Sequence, residues 1–209
     1  MLQFRGGTIL IQNCVYVPPL GMIDDITSFI LSGVDAVKTN AIVNAKIQSK
    51  KLNFGPSKCY NIHLGEMENT LVKVHDHVMK VKSYETYLGD IICNSDNNDR
   101  NIDHRRNQGL AAVSEVTSML DRVSLGHFHF EISLILRDSI LISKLVFNSE
   151  IWYNLTNQQL VKLEQIDEMF LRQVFNVAKS TPREGLYIEC GRLPIQFIVK
   201  MRRLIFHCT

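Results

Sequence analysis

The chain has 209 residues and a formal net charge of +2, so it is long enough for one domain or for two small ones. Because the charge is close to neutral, overall basicity does not indicate a nucleic-acid partner, and only local clusters of cations can do so. Hydrophobic residues make up 45% of the chain, but no apolar run reaches the roughly 18 residues that a membrane span requires. The sequence therefore predicts a globular chain without a membrane segment.

The cysteines predict a reducing compartment. They are odd in number, widely spaced and without a C-x-x-C pair, which argues against a disulfide framework or a zinc site. The cysteines are Cys14, Cys59, Cys93, Cys190 and Cys208. Near the N-terminus, no long apolar segment follows a basic region, so the sequence lacks the pattern of a signal peptide. We expect free thiols in an intracellular protein, nuclear or cytoplasmic.

A paired carboxylate is the main feature of the first part of the chain. Residues 8–11 indicate a short strand, and residues 18–19 (PP) would interrupt pairing, which is expected to resume after them. The apolar segment that follows predicts a β-hairpin with Asp24 and Asp25 at its tip, because Asp is rare in strands and common in turns. A divalent cation with oxygen ligands would satisfy both carboxylates, and a solvated turn is the alternative.

One helix and several short strands are predicted before residue 94. Periodicity indicates a helix over residues 33–52, which residues 53–56 (NFGP) end. Its apolar stripe consists of Val34, Val37, Ala41 and Ala45. Short strands are expected at residues 58–64, 71–81 and 87–92, the last with a glycine that permits close backbone approach.

Only helices are predicted after residue 94, where we place a domain boundary. A polar segment with helix-cap chemistry precedes a helix over about residues 99–122. Arg105 and Arg106 lie near its start, where basic residues oppose the helix dipole. They are candidates for phosphate contacts, and a solvated face is the alternative.

The remaining helices follow from apolar periodicity and caps. The strongly apolar residues 129–148 predict the central buried helix of a bundle. Residues 156–159 (TNQQ) form the capping box of an amphipathic helix that extends to about residue 178. A short helix to about residue 189 and a last helix that begins at Pro194 complete the prediction.

Residues 20–25 (LGMIDD), 54–64 (FGPSKCYNIHL) and 87–90 (YLGD), followed by helices, occur in the order of three segments of one enzyme family. They resemble the active-site hairpin, the lysine-bearing segment and the primer-grip hairpin of reverse transcriptases from retrotransposons without long terminal repeats. The resemblance is closest to the Dong-like group, in which residues 148–156 and 193–195 also have counterparts. It covers nearly the whole chain.

The resemblance implies metal-dependent nucleotidyl transfer. Asp24 and Asp25 would bind Mg²⁺ within a two-metal site, in which ions roughly 3.5–4 Å apart activate the primer hydroxyl and stabilise the leaving pyrophosphate. Lys58 would act as a third catalytic residue, near the incoming triphosphate. The implied partners are an RNA template and a DNA primer duplex.

The resemblance also implies contacts to that duplex. Leu88, Gly89 and Asp90 would position the primer end as the primer grip. Arg105 and Arg106 would contact backbone phosphates from a helical thumb.

Two departures from the family pattern bear on activity. Met22 stands where the family has Tyr or Phe, and no acidic residue precedes Asp24. The family carries a further metal-binding aspartate on an earlier palm strand, together with fingers. A separate N-terminal half with palm and fingers is therefore an expected partner.

We thus predict an α+β chain with a partial palm at residues 1–94 and an all-helical thumb at residues 95–209. In function it would be the C-terminal palm and thumb of an RNA-directed DNA polymerase, inactive alone. One alternative is a nucleic-acid-binding remnant without chemistry. The other is a structural interaction module, since a partial palm exposes a sheet edge and an apolar face that would seek a partner.

We expect the purified 209-residue chain to show no templated DNA synthesis. Phosphoryl transfer depends on metal ions held between several carboxylates, and a single Asp-Asp turn supplies ligands from one side only. The measurement is primer extension with Mg²⁺ or Mn²⁺. Extension that Asp24→Ala abolishes would contradict the expectation.

Overall fold

The computed structural model describes the chain in segments separated by short gaps. They are residues 9–11, 14–16, 20–22, 25–27, 33–52, 55, 59–62, 72–74, 77–94, 98–122, 129–152 and 154–208. The chain divides into two compact units, Met1–Tyr84 and Glu85–Thr209. Helices and short strands are both present, as expected of an α+β chain. Among the helices of the described segments, none is both long and apolar enough to cross a membrane.

Short paired strands and one helix make up the described part of the first unit. β1 (Ile9–Ile11) pairs antiparallel with β2 (Cys14–Tyr16), and β3 (Leu20–Met22) pairs antiparallel with β4 (Asp25–Thr27). Helix α1 comprises Gly33–Ser49. After it, β5 (Tyr60–Asn61) pairs parallel with β8 (Lys80–Val81), and β6 (Lys73–Val74) pairs antiparallel with β7 (His77–Val78). The single strand predicted over residues 71–81 is therefore wrong, because the chain folds back between β6 and β7.

The predicted apolar stripe of α1 is wrong at its three described positions, and the side chain of Val34 lies outside the described ones. Val37, Ala41 and Ala45 are exposed, whereas the half-buried side chains include Asn40, Val43 and others on a different face. The Asn40 side-chain amide donates a hydrogen bond to the Lys73 carbonyl, so this helix contacts β6 through a face that carries a polar residue. The predicted stripe therefore does not form the contact with β6, and the polar Asn40 lies on the contact face.

The second unit begins with a hairpin and continues as helices. β9 (Tyr84–Tyr87) and β10 (Asp90–Cys93) are hydrogen-bonded to each other, and β9 begins at the last residue of the first unit. The unit boundary therefore falls within β9, after its first residue, whereas the sequence analysis placed a boundary after residue 94. The helices are α2 (Asp99–Arg122), α3 (His129–Leu136), α4 (Ser143–Leu145), α5 (Asn157–Phe175), α6 (Arg183–Cys190) and α7 (Ile195–Cys208).

The main hydrophobic core draws on α2, α5, α7 and the segment Arg137–Leu145, which includes α4. α2 packs against α5 and α4, and α7 packs against α5 and a 3₁₀ turn at Ser149–Ile151. The fully buried members of this core include Ile102, Val116, Leu141, Leu145, Leu163, Phe170, Ile195 and Val199. A smaller cluster of Leu134, Leu171, Leu186, Tyr187 and Cys190 joins α3, α5 and α6.

Several helix boundaries match the sequence prediction. α2 has the predicted bounds, and Thr156 caps α5 through a complete capping box with Gln159. Gly191, with φ of 61°, ends α6 in the left-handed region, where glycine is favoured. The predicted helix over residues 129–148 is interrupted instead by a π-helical segment, Arg137–Ile142, between α3 and α4. The segment 129–148 is also not buried on every side, since Ile135 is 60% exposed.

Gly109 allows α2 to approach its neighbours closely. A Cβ at this position would overlap the Leu145 side chain and lie 3.2 Å from Cγ2 of Ile166. Both of these side chains are buried in the main core, so neither can move without disturbing it.

We expect Gly109→Ala to destabilise the chain by about 1–3 kcal/mol, because overpacking outweighs the better helix propensity of alanine. Gly185→Ala in α6 is the matched control, since a Cβ there would meet open space. It should be neutral or stabilising. Urea unfolding measures both, and equal midpoints for the two variants would contradict the packing argument.

Candidate functional site

The described part of the Asp-Asp hairpin agrees with the sequence prediction. Asp25 is the first residue of β4 and pairs with Met22, the last residue of β3. It therefore lies at the end of the hairpin where the chain connects the two strands. Asp24 lies outside the described residues, and so does Lys58. No group of three or more His, Cys, Asp or Glu side chains that could hold a metal ion occurs among the residues that the structure describes. Binding of Mg²⁺ by the Asp pair stays a prediction.

The predicted primer-grip segment is a tight turn between β9 and β10, not the single strand expected over residues 87–92. Leu88 and Gly89 have φ angles of 48° and 85°. Two successive residues with positive φ are typical of a two-residue hairpin turn whose twist matches that of the flanking strands. Gly89 also permits a close approach, because a Cβ there would lie 3.2 Å from Cε1 of Phe147.

The Asp90 carboxylate anchors this hairpin to the helices. Its Oδ1 accepts hydrogen bonds from Nη2 of Arg105 at 2.6 Å and from Nδ2 of Asn101 at 3.2 Å. Its Oδ2 accepts one from Nδ2 of Asn148 at 2.5 Å. Three donors from two separate segments thus surround one buried carboxylate, which is how a buried charge is normally compensated.

Arg105 completes the cluster from α2. Its Nη2 also donates to the Gly89 carbonyl at 2.5 Å, its Nη1 donates to Oε1 of Gln108 at 3.0 Å, and its guanidinium lies 4.7 Å from the centre of the Phe147 ring. The residue is only 2% exposed, so the solvated face considered for it is wrong. Its positive charge is already paired, and a phosphate contact from Arg105 would require this cluster to open.

Arg106, the neighbouring candidate, is placed differently. It is half-buried, and the structure shows no ion pair between it and another described residue. Of the two arginines predicted to contact phosphates, Arg106 is therefore the one whose charge is not committed to Asp90. Leu88 is 43% exposed at the tip of the hairpin that the cluster holds in place.

Sequence analysis missed a second buried ion pair. Nε and Nη2 of Arg137 donate to the two carboxylate oxygens of Asp167 at 2.7 and 2.6 Å, and the Tyr187 hydroxyl donates to Oδ2 of Asp167 at 3.0 Å. Nη1 of Arg137 donates to Asp138 at 2.7 Å. These contacts join the π-helical segment to α5 and α6. A signal was available, since Arg137 interrupts an apolar run and Asp167 lies within the apolar stripe of α5.

Burial affects the protonation of this network. Desolvation raises the pKa of the Asp167 carboxyl, and the hydrogen bonds from Arg137 and Tyr187 oppose that effect. Desolvation and the adjacent Asp167 carboxyl raise the pKa of Tyr187, so this hydroxyl stays protonated and donates. Desolvation likewise raises the pKa of Glu164, which accepts from the backbone N–H of Gln196 at 3.3 Å.

A groove of about 360 Å³ lies between α6 and α7 beside this network. Its lining includes Tyr187, Ile188, Pro194 and Phe197, with the charged side chains of Glu164, Arg183, Glu184 and Arg192. Arg183 and Arg192 are already paired with Glu164 and Asp138, respectively. The groove therefore has an apolar floor, and the charged side chains at its edges are paired with one another or with nearby residues.

No protein-family model, curated protein or solved structure matches this chain.

We expect Asp90→Asn to destabilise the chain by about 3–5 kcal/mol, because it leaves the buried Arg105 charge without its partner. Glu115→Gln is the control, since Glu115 forms an exposed pair with Lys144 at 2.8 Å and should change stability by less than about 1 kcal/mol. Urea unfolding of both variants provides the measurement. Similar midpoints for the two would show that the Asp90 cluster does not stabilise the fold.

Proposed function

We propose that the chain is the C-terminal palm and thumb portion of an RNA-directed DNA polymerase from a non-LTR retrotransposon. In the intact polymerase this portion would take part in Mg²⁺-dependent nucleotidyl transfer on an RNA template and DNA primer. Support comes from the order of the segments along the chain. A hairpin that contains Asp25 is followed by the turn at Leu88 and Gly89, and then by helices.

The observation that carries the proposal is the geometry of the β9–β10 hairpin. Its backbone is fixed on α2 by the buried Asp90–Arg105 pair, while its tip presents an exposed apolar side chain, Leu88. A rigid tip of this kind suits a role in positioning the end of a primer, because positioning requires a support that does not move. Asp90 would then be a positioning residue and would not touch the primer.

The other residues have distinct roles in this proposal. Asp24 and Asp25 would bind Mg²⁺, and Lys58 would lie beside the triphosphate. Arg106 would contact the phosphate backbone of the duplex from α2, while Arg105 would support the hairpin.

A structural interaction module is the second candidate function. The observation that favours it is the apolar surface of α7, where Phe197, Met201 and Leu204 are each about half exposed or more. Contiguous apolar surface of this kind is typical of protein–protein contacts.

The polymerase proposal predicts preferential binding to a recessed primer end over a blunt duplex of the same length. We expect Leu88→Asn to reduce this preference without unfolding the hairpin, because Asn tolerates a positive φ. Met119→Gln on α2 is the control, since Met119 is 42% exposed and lies away from the hairpin in sequence. Fluorescence anisotropy with labelled duplexes measures the preference.

Arg106→Gln should weaken binding to both duplexes equally and reduce the salt dependence of binding by about one unit of slope. A wild-type chain that binds recessed and blunt duplexes equally would favour a remnant without positioning chemistry. A chain that binds neither would leave the interaction module as the better proposal.

A further inference from the structure

Phe147 presents an aromatic ring to solvent beside the β9–β10 hairpin. The residue follows α4, at the end of the apolar segment that was predicted to be buried, yet it is 41% exposed. On one side the ring meets the guanidinium of Arg105, which lies 4.7 Å from the ring centre and belongs to a residue that is only 2% exposed. The backbone of Gly89 occupies one ring edge, since a Cβ there would lie 3.2 Å from Cε1. The exposed part of the ring therefore lies on the face away from Arg105.

Leu88 adds a second exposed apolar side chain at the same turn. It directly precedes Gly89, the residue whose backbone meets the Phe147 ring. Its φ of 48° is unfavourable for a bulky residue, and Asn or Gly is the usual choice at such a position. Burial does not offset this strain, because the residue is 43% exposed. An exposed leucine in a strained turn is typical of a residue that contacts a ligand.

The size and chemistry of this surface favour a nucleobase over other occupants. A stable protein interface buries about 800 Å² on each partner, which one ring face and one leucine side chain do not provide. A cationic ligand is disfavoured, because the positive charge of Arg105 already lies against the other face of the ring. A flat, neutral aromatic group needs a single open face, and bases of every kind stack on such a ring.

A cation also lies next to the residue that supports the ring. Arg106 follows Arg105 on α2, is half-buried, and forms no ion pair with another residue of the described segments. A nucleotide carries a phosphate beside its base. An open aromatic face and an uncommitted cation therefore match the two chemical parts of a nucleotide strand, the base by stacking and the phosphate by charge.

We propose that Phe147 is a substrate-binding residue on which the last base of a primer strand stacks. Leu88 packs against the edge of this base from the hairpin tip, and Arg106 pairs with a phosphate of the same strand. Because Arg105 and Gly89 hold the ring in place, the platform orients the primer end without being ordered on binding. This inference rests on the proposed function, which supplies the primer, and it adds a contact from the segment after α4.

A double-mutant cycle between protein and primer tests the stack. Fluorescence anisotropy measures how the full chain binds an RNA template with a recessed DNA primer that ends in either adenine or an abasic residue. Phe147→Leu should weaken binding of the adenine-ended primer by at least about fivefold, the lower end of what one base–aromatic stack contributes. It should leave binding of the abasic primer unchanged. A side chain that merely supports the hairpin would affect both primers alike.

Two further variants separate stacking from folding. Phe147→Trp should retain the preference for terminal adenine, because an indole ring also stacks on bases. Phe206→Leu is the matched control, since Phe206 is 52% exposed on α7, and it should bind both primers as the wild type does. The ratio of wild-type to Phe147→Leu affinity should not change with salt, because stacking releases no counterions. Circular dichroism verifies that all variants are folded.

The outcomes that would overturn this inference differ in what they imply for the proposed function. If Phe147→Leu weakens both primers equally, or neither, in a chain that still prefers recessed over blunt duplexes, the stack is rejected and the proposed function stands. The same holds if Phe147→Trp binds as weakly as Phe147→Leu. A wild-type chain that binds recessed and blunt duplexes equally would reject the proposed function together with the stack.

Discussion

The buried carboxylate of Asp90 is the constraint on which the second unit depends at its N-terminal end. A β-hairpin of two four-residue strands is marginal alone, since it buries little apolar surface. Here it is held by charge and hydrogen bonds, from Arg105 and Asn101 on α2 and from Asn148 after α4. Because two of the donors lie on α2 and the third follows α4, the carboxylate joins the hairpin to both segments.

A second buried carboxylate of the unit is compensated in the same way. Asp167 on α5 accepts two hydrogen bonds from Arg137 and one from Tyr187, so it joins the π-helical segment to α5 and α6. A buried pair of this kind adds little net stability compared with apolar residues, but removal of one partner is costly. The geometry of these hydrogen bonds constrains how the π-helical segment, α5 and α6 pack together. The extra residue of a π-helical turn changes which side chains face the core, and Arg137 is the first residue of that turn.

The sequence predicted what is decided locally. The bounds of α2, the capping box at Thr156 and the end of α6 at Gly191 follow from side chains within a few residues of each boundary, and the structure confirms them. The contacts that join distant segments were not predictable in the same way. Arg137 and Asp167 are thirty residues apart, and the sequence around each residue does not indicate that the other is its partner. The face by which α1 contacts β6 was not predicted either, since Asn40 on that face bonds to the carbonyl of Lys73, which is distant in sequence.

The two arginines of α2 show why a candidate site needs the structure. Sequence analysis treated Arg105 and Arg106 alike, as adjacent cations near a helix start. Adjacent residues of an α-helix point about 100° apart around its axis, so at most one of the two arginines can face the Asp90 carboxylate. Arg105 does so. Its guanidinium donates hydrogen bonds to the Asp90 carboxylate and the Gly89 carbonyl and lies over the Phe147 ring. Of these two arginines, Arg106 therefore lies outside the Asp90 cluster, while Arg105 holds the turn at Gly89 and Asp90 in place. The division of roles between neighbouring residues is a consequence of helix geometry.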